Sequence, residues 1–548
     1  MGTMWEQDYV PVAGSLVYST LVAAVPLVIL FYMLGVRRKP TWIAGLSALG
    51  VALVLAVGVF GMPVAQAGAS MVYGAAFGLF PIGWIVIASL ILYRVTLDTG
   101  KFEIIKDSIG ALSDDRRLQA VLIGFAFGAF IEGAAGFGTP VAVAAAMLTG
   151  LGFPPFYAAF ICLVANTAPV AFGSLGIPVV TLAGITGLPL DALSSMTGRL
   201  CALIAIIIPA YMVVIMSGIK GALEVLPPVL ACAVTFAGVL LVVTNTLGPE
   251  VAVILASVAA MVAMVLVMKL WQPSRIFRLE GDVAVTSEAR THTAGEVLSA
   301  WSPYLLLVVF VLAWRFPPIQ AALNSVSVTL PVPGLHEMIT RVPPLTPEPS
   351  PYPAVYNFQW LSAAGTSCFL SAFAASLLLG LSPRSFLGIC KSVLKQLSLP
   401  LLTITSVLAL AFLMNYAGMT STLGLAFAAT GSLFPFFSAM LGWTGVFLTG
   451  SDTSSNALFG NLQVVTANAL GLNPILTAST NAATGVMGKM ISLQSIAVAV
   501  AATGMAASEE GRLFRITLKH SIVLALFMAV VTMIFAYVLP DLVPQVNR

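Results

Sequence analysis

The feature that most constrains the fold is a series of apolar runs of about 20 residues that recurs along the whole chain. A helix of that length crosses the roughly 30 Å of hydrocarbon in a bilayer, whereas a membrane β-barrel would show shorter segments of alternating polarity. Hydrophobic residues fill 59% of the 548 positions and charged residues only 8%, which is outside the range of soluble globular domains. The sequence therefore predicts an all-α polytopic membrane protein.

About twelve runs are candidate transmembrane helices. They lie near 14–36, 40–60, 70–94, 155–187, 195–217, 224–245, 249–270, 300–316, 356–381, 397–416, 474–505 and 516–540. The loops rich in Lys and Arg are separated by an even number of these runs, which predicts that they are cytoplasmic. The 271–299 loop is one of them. The proline-rich segment 317–355, in which Arg341 is the single Lys or Arg, is then external.

Two glycine-rich stretches, 128–140 and 445–456, interrupt further apolar runs. Both begin Gly-x-Phe-(Ile/Leu)-x-Gly and continue with small residues that flank one carboxylate. Thr139 before Pro140 is typical of the N-cap and first turn of a new helix, and a residue of 451–456 suits the same role. We therefore predict two re-entrant hairpins, at about 118–150 and 438–470. Arms of a dozen residues would reach only half of the bilayer.

A second polar element follows each hairpin at a similar distance. Asn166 lies 33 residues after Gly133, and Asn481 lies 31 residues after Gly450. We interpret each asparagine as the start of a break in a helix. Non-helical backbone is tolerated at membrane depth only where protein or a water-filled cavity satisfies it. Discontinuous helices of this kind are typical of secondary transporters.

The two halves are predicted to be inverted repeats, at about 71–190 and 390–505, whose hairpins enter from opposite faces. Half-helix N-termini at the breaks would present free N–H groups to a small carboxylate. The alternative is that the glycines only mark close helix packing. Segment 419–432 is open to two interpretations, a short external connector or a thirteenth span.

Three ionisable residues lie within these apolar regions. Glu132 is at the first hairpin break, Asp452 at the second, and Lys489 directly follows Gly488. Burial favours the protonated form of a carboxylate, so Glu132 or Asp452 is a candidate proton carrier. Lys489 is a candidate to balance an anionic substrate. The alternative is a structural ion pair that only fixes a hairpin.

Other classes of function find little support in the sequence. The five cysteines lie in apolar context without metal-ligand spacing, so we predict no metal and no cofactor. Motifs of hydrolases, zinc peptidases and P-loop ATPases are absent, which argues against an enzyme and against ATP-driven transport. The net charge of +3 is spread over separate loops and does not indicate nucleic-acid binding.

The residues 130–142, 166–173, 445–460 and Trp271-Gln-Pro closely resemble the bacterial L-lactate permease family. The resemblance covers essentially the whole chain. It implies proton-coupled uptake of L-lactate, with D-lactate and glycolate as further substrates, across a bacterial inner membrane. It also implies kinship with elevator-type transporters that use two inverted hairpins. A sodium-coupled carrier of other small carboxylates is the alternative within transport, and a membrane enzyme or channel is the alternative outside it.

The predicted partners are this substrate, protons and the lipid bilayer, and whether the chain forms a homo-oligomer is left open. We expect the substrate between the hairpins and the broken helices, bound by polar side chains where glycines let the backbone approach. The candidates are Thr139, Asn166, Thr167, Ser451, Thr453, Ser454, Asn456, Asn481 and Lys489, with Gly133, Gly136, Gly138, Gly173 and Gly450, and Glu132 and Asp452 for the proton.

Overall fold

The structure, a computed structural model, describes residues 4–110, 112–136, 138–279 and 292–545. These residues are overwhelmingly helical, as predicted. The first ten α-helices are α1 Leu16–Phe31, α2 Thr41–Gly58, α3 Val64–Phe77, α4 Trp84–Asp98, α5 Lys101–Gly110, α6 Arg116–Gln119, α7 Gly128–Ala134, α8 Thr139–Gly150, α9 Pro155–Ala165 and α10 Gly173–Thr186.

A central group of helices joins this half to the second one. It comprises α11 Leu190–Glu224, α12 Leu226–Thr246, α13 Ala252–Leu270, α14 Ala294–Arg315 and α15 Pro317–Asn324. The second half comprises α16 Ala364–Leu378, α17 Pro383–Gln396, α18 Ser398–Tyr416, α19 Met419–Phe427, α20 Phe434–Thr449, α21 Asp452–Ala469, α22 Pro474–Lys489, α23 Leu493–Thr503 and α24 Glu510–Tyr537.

The number of candidate spans confirms the predicted polytopic fold. Among the described residues, eleven helical segments are long and apolar enough to cross a bilayer, and up to thirteen are if each of two bent pairs is one span. The bent pairs are α9 with α10, which bend by 65°, and α22 with α23, which bend by 41°. The prediction was about twelve, but the eleven include Arg116–Ala134 and Met419–Thr449, which the sequence analysis assigned to the hairpins and the connector.

Two predicted crossings have different bounds in the structure. The crossing predicted at 70–94 runs from Val64 to Asp98 and is interrupted at Phe80, whose φ of −143° and ψ of 124° are not helical. Pro81 explains this break, because proline disfavours helical geometry in the residue before it. The crossing predicted at 356–381 is the shorter helix α16, because residues 355–358 form a strand instead.

Short strands organise the proline-rich segment 317–355 and its flanks. β1 (Trp5–Glu6), β3 (Ile339–Arg341) and β4 (Ser350–Pro351) form one sheet in the order β1-β3-β4, and β2 (Val328–Pro331) pairs antiparallel with β5 (Val355–Phe358). The N-terminal strand therefore joins this segment. Gln7 Nε2 donates hydrogen bonds to the carbonyls of Asn415 and Tyr416, which fastens the sheet to the end of α18.

The hairpin arms are longer than predicted. A π-helical segment, 120–127, joins α6 to α7, so the first arm runs over 19 residues from Arg116 to Ala134. The arms α20 and α21 have 16 and 18 residues, and only α8, with 12, matches the predicted dozen. The cause is visible in the sequence of the first arm, which has no proline before the glycines at 133–138.

The same order of elements occurs twice, while the repeats at about 71–190 and 390–505 stay a prediction. A long span and a short helix, α5 or α19, precede two helices around a break and then a bent pair. Helix α8 packs against α23, and α21 packs against α10, so the second arm of each hairpin contacts the bent pair of the other half. The inverted relation of the halves remains a prediction.

Segment 419–432, for which the sequence left two interpretations, contains the nine-residue helix α19. The helical conformation is then interrupted at Gly431, which has a φ of 56°. Nine helical residues extend about 14 Å, less than half of a bilayer core. This geometry favours the short connector. Residues 280–291 of the predicted 271–299 loop lie outside the described residues.

Candidate functional site

The first hairpin breaks after Ala134, where α7 ends, and before Thr139, where α8 begins. Gly136 and Gly138 have φ values of 60° and 83°, a region that favours glycine. Gly138 is the N-cap of α8, whereas Thr139 and Pro140 are its first two residues. The expectation that Thr139 is the N-cap was therefore wrong by one position, because the left-handed turn at Gly138 ends the break.

The second hairpin breaks between α20 and α21. Gly450 has a φ of 70°, and the Ser451 hydroxyl accepts a hydrogen bond from the Ser454 backbone N–H at 3.2 Å. This confirms that a residue of 451–456 caps the returning helix. Asp452 is the first residue of α21, so its carboxylate lies at the helix N-terminus.

The predicted break at Asn166 is present between α9 and α10. Asn166 is the C-cap of α9, and Ser174, Leu175 and Gly176 all adopt left-handed conformations. The Ser174 hydroxyl donates to the Ala135 carbonyl at 2.9 Å, which joins this break to that of the first hairpin. A Cβ on Gly136 would collide with the Ser174 hydroxyl oxygen, so this approach requires glycine.

The second bent pair breaks at a different place from the one predicted. Asn481 lies inside the continuous helix α22, and the bend falls at residues 490–492, after Lys489. The segment 481–488 contains no proline and stays helical, while Ser492 caps α23 by accepting from the Ser495 N–H at 3.2 Å. Gly485 and Gly488 serve close packing instead, because added Cβ atoms would meet α20 or the Asp452 carboxylate.

Two charged side chains meet where these elements converge, and a third lies nearby. Lys489 Nζ lies 3.5 Å from Glu132 Oε1, which links the end of α22 to α7. Both side chains are buried, as is Asp452, whose carboxylate lies against Gly485, about one turn of α22 before Lys489. Within the described residues, Glu132 Oε2 and both Asp452 carboxylate oxygens have no hydrogen-bond partner. The cluster therefore combines one ammonium with two carboxylates that retain free acceptor capacity.

Two of the predicted residues lie close to this cluster. Gly173 lies against Glu132, since a Cβ there would collide with Oε1. Asn166 and Lys489 line a narrow crevice together with Val141 of α8 and Ser495 of α23. Asn166 Oδ1 is buried and has no hydrogen-bond partner among the described residues. The crevice thus brings together the first bent pair, the second bent pair and the first hairpin.

Asn456 and Asn481 belong to a separate buried amide network. Asn481 Nδ2 donates to Asn456 Oδ1 at 2.9 Å, and Asn456 Nδ2 donates to the Pro178 carbonyl at 3.1 Å. Gln463 Nε2 donates to Asn481 Oδ1 at 3.2 Å and to the Ser438 carbonyl at 3.0 Å. Because both asparagines bond to protein through their oxygen and their nitrogen, the network couples α21 and α22 to α10.

The remaining candidates differ in their surroundings. Gly133 faces Ile254 of α13 and lies in a packing contact, and the Thr167 hydroxyl donates to the Val164 carbonyl at 2.7 Å. Thr139, Ser451 and Thr453 are partly exposed, whereas Ser454 is buried. Sequence reasoning missed Gln463 and Ser174. Gln463 is one of two amide side chains in the otherwise apolar run 457–465, a pattern that could have marked it as a candidate.

These features define a polytopic membrane transporter with two helix-break-helix units and two bent helices around buried charges. MtrF of Neisseria gonorrhoeae, described as illuminating a class of antimetabolite efflux pumps, has a similar fold, with a TM-score of 0.51 at 12% identity over 93% of this chain and 97% of that chain. The chain belongs to the L-lactate permease family, whose pattern matches residues 19–539.

Two full-length relatives show the range of names in the family. The L-lactate permease of Bacillus subtilis is 44% identical over 98% of this chain and 100% of the relative. The glycolate permease GlcA of Escherichia coli is 42% identical over 97% of this chain and 98% of the relative. Family and fold together identify a multi-pass bacterial membrane protein that acts as a transporter.

Proposed function

We propose that the protein imports L-lactate, and also D-lactate and glycolate, by symport with protons across the bacterial inner membrane. The names of the full-length relatives support the substrate class. The observation that carries the mechanism is the buried cluster of Lys489, Glu132 and Asp452, in which three carboxylate oxygens have no hydrogen-bond partner among the described residues.

Charge balance in this cluster links the anion to the proton. With both carboxylates ionised, the three side chains carry a net charge of −1, and a substrate anion would add a second negative charge. Such an accumulation is costly in a buried site. Protonation of Glu132 or Asp452 offsets the charge of the substrate, so anion and proton bind together. Lys489 supplies the positive charge that the substrate carboxylate contacts.

The polar groups of the breaks have two different roles in this proposal. Asn166, with its unpartnered Oδ1, is available to the substrate hydroxyl, and Thr139, Ser451, Thr453 and Ser454 surround the two helix N-termini. Such termini stabilise carboxylates through free N–H groups. Asn456 and Asn481 position α21 against α22, since their amides are already used in hydrogen bonds.

The proposed cycle is an elevator-type movement in which the hairpins and bent pairs carry the site across the membrane. The contacts of α8 with α23 and of α21 with α10 support it, because they join these elements from both halves into one packed unit. Rigid-body movement of this unit would keep Lys489, Glu132 and Asp452 in the same relative positions during transport.

The test is uptake of labelled L-lactate into proteoliposomes under defined gradients. We expect accumulation with an inward proton gradient and no additional accumulation with a sodium gradient at constant pH. An uncoupler that dissipates the proton gradient should abolish accumulation but leave lactate exchange. Accumulation that requires sodium would replace proton coupling with the sodium-coupled alternative, and product formation without accumulation would indicate an enzyme.

A further inference from the structure

A second cavity lies apart from the charged cluster and is lined by cationic and amide side chains that the proposed mechanism does not use. Its volume is about 560 Å³, within the range of small-molecule sites. It is bounded by the ends of α10 and α18, the second half of α21, and residues 341–355 of the proline-rich segment. In the predicted topology, this is the external face.

Arg341 gives the cavity its charge. It is the last residue of β3, and its Cζ lies 4.8 Å from the centre of the Tyr352 ring. No described residue forms a salt bridge or hydrogen bond with its guanidinium, and Nε is buried without a partner. The cavity lining contains no Asp or Glu. A cationic group that is partly removed from water and lacks a counter-ion favours an anion beside it.

The neighbouring polar side chains complete a site for a small hydroxylated anion. Asn415, Asn461 and Asn468 line the cavity, and no described residue forms a hydrogen bond with their side-chain amides. Burial raises the pKa of the Tyr352 phenol, so this ring remains neutral and does not repel an anion. The guanidinium can pair with a carboxylate while the amides donate to or accept from a hydroxyl.

Helix α21 connects this cavity to the charged cluster. Its face formed by residues 461, 464, 465 and 468 lines the cavity, and Asp452 at its N-terminus lies about 14 Å away from Asn461 along the helix. Contact between α10 and α21 separates the two places. A Cβ on Gly460 would lie 2.7 Å from Leu182 Cδ1, and Asn456 bonds to the Pro178 carbonyl.

We propose that this cavity is an external recruitment site for small monocarboxylate anions, with Arg341 as the residue that selects their charge. The proposal rests on the proposed function for its ligand, L-lactate, and adds a binding site before the buried one. Attraction by Arg341 would raise the local concentration of the anion beside α10 and α21. Electrostatic attraction of this kind increases association rates by about 10-fold or more at low ionic strength.

The experiment measures binding in the cavity without requiring transport. Asn468 is exposed and lines the cavity, so Asn468→Cys should react with an impermeant thiol reagent added to intact cells. The native cysteines give little background, since four are buried and Cys390 lies on the predicted cytoplasmic side. We expect L-lactate to slow the labelling of Asn468→Cys, and methyl lactate, which lacks the charge, to have no effect.

Variants in the Asn468→Cys background locate the responsible charge. Arg341→Gln should abolish the protection and Arg341→Lys should retain part of it, whereas Lys489→Ala should leave it unchanged. Arg199→Gln is the matched control, because Arg199 lies on the same predicted face, outside the cavity, and bonds to Asn245 Oδ1 at 3.2 Å. Uptake at low lactate concentration should fall about tenfold in Arg341→Gln and remain normal in Arg199→Gln.

The outcomes separate this proposal from the proposed function. Protection by glycolate or another monocarboxylate but not by L-lactate would support the recruitment site and count against lactate as the substrate. Absence of protection by every monocarboxylate, in a protein that accumulates lactate, would overturn the recruitment site alone. Equal protection in Arg341→Gln and in the parent would overturn it as well.

Discussion

At the scale of single residues, the central question is what the buried charges do. Lys489 and Glu132 come from different halves of the chain, 357 positions apart, and meet at 3.5 Å. Burying a pair of charges costs free energy that their attraction only partly offsets, so the presence of the pair is weak evidence for a purely stabilising role. Asp452 adds a third charge with no hydrogen-bond partner for either oxygen among the described residues.

The first prediction separates proton coupling from substrate binding. Glu132→Gln or Asp452→Asn, at whichever residue carries the proton, should lose accumulation driven by a pH gradient but retain lactate exchange, since exchange requires no net release of the proton. Counterflow and pH-driven uptake, measured on the same proteoliposomes, check this. Full pH-driven accumulation in both variants would remove both carboxylates from the coupling mechanism.

A second prediction concerns Lys489. Lys489→Ala should weaken lactate binding and abolish exchange, because removing one partner of a buried charge pair costs about 3–5 kcal/mol, or more than about a hundredfold in affinity. Lys489→Arg keeps the charge but changes its geometry and should retain part of the exchange. Titration of counterflow against lactate concentration measures both.

A double variant distinguishes the structural alternative. If the Lys489–Glu132 pair only fixes the hairpin, replacing both side chains in Lys489→Met with Glu132→Gln should restore transport together with protein yield. We expect the yield to recover and transport to remain absent. Recovery of normal uptake would assign the pair to structure alone.

At the scale of elements, the glycines of the breaks let backbones and side chains approach closely. Gly136 lies against Ser174 of the first bent pair, and Gly450 lies against Gln494 of the second, with a Cβ-to-Oε1 distance of 2.8 Å for an added methyl group. Both have positive φ, which side chains rarely adopt. Each hairpin break therefore contacts the bent pair that follows it in the chain.

The third prediction is that Gly136→Leu and Gly450→Leu each reduce lactate uptake at least tenfold while the protein remains in the membrane. The added side chains would separate the hairpin from its bent pair and distort the site. Gly238→Leu in α12 is the control, since no atom lies within 4 Å of an added Cβ there. Near-normal uptake by either break variant would show that these glycines only fill space.

The sequence predicts an element only where neighbouring residues in the chain determine its conformation. Glycines close to Pro140 and Ser451 mark both hairpin breaks in the local sequence, so the first N-cap was predicted to within one residue and the second to the range 451–456. Asn481 was misread because a polar residue in an apolar run suggests a break, yet its hydrogen bonds to Asn456 and Gln463 satisfy it inside a helix. Those tertiary partners leave no local signal.

At the scale of the whole molecule, the meeting of Glu132 with Lys489 and the cavity around Arg341 depend on the packing of the two halves. The sequence marked Arg341 only as an isolated basic residue in a proline-rich segment. The structure pairs its strand with the N-terminal strand and brings it beside α18 and α21. Long-range pairing of this kind could not be read from the spacing of residues, whereas the apolar runs predicted the number of spans.

The last prediction concerns orientation in the membrane. Ser325→Cys, in the proline-rich segment, should react with an impermeant thiol reagent on intact cells, whereas Ser274→Cys and Ser508→Cys should react only after the membrane is permeabilised. All three serines are exposed, so differences in labelling report the side of the membrane and not burial.

The expected pattern follows from the Lys and Arg residues flanking positions 274 and 508, which retain their loops in the cytoplasm. Cys390→Ala provides the background in permeabilised cells, because the other four native cysteines are buried. Labelling of Ser274→Cys from outside would reverse the orientation and would place the Arg341 cavity on the cytoplasmic side, where it would receive lactate leaving the cell.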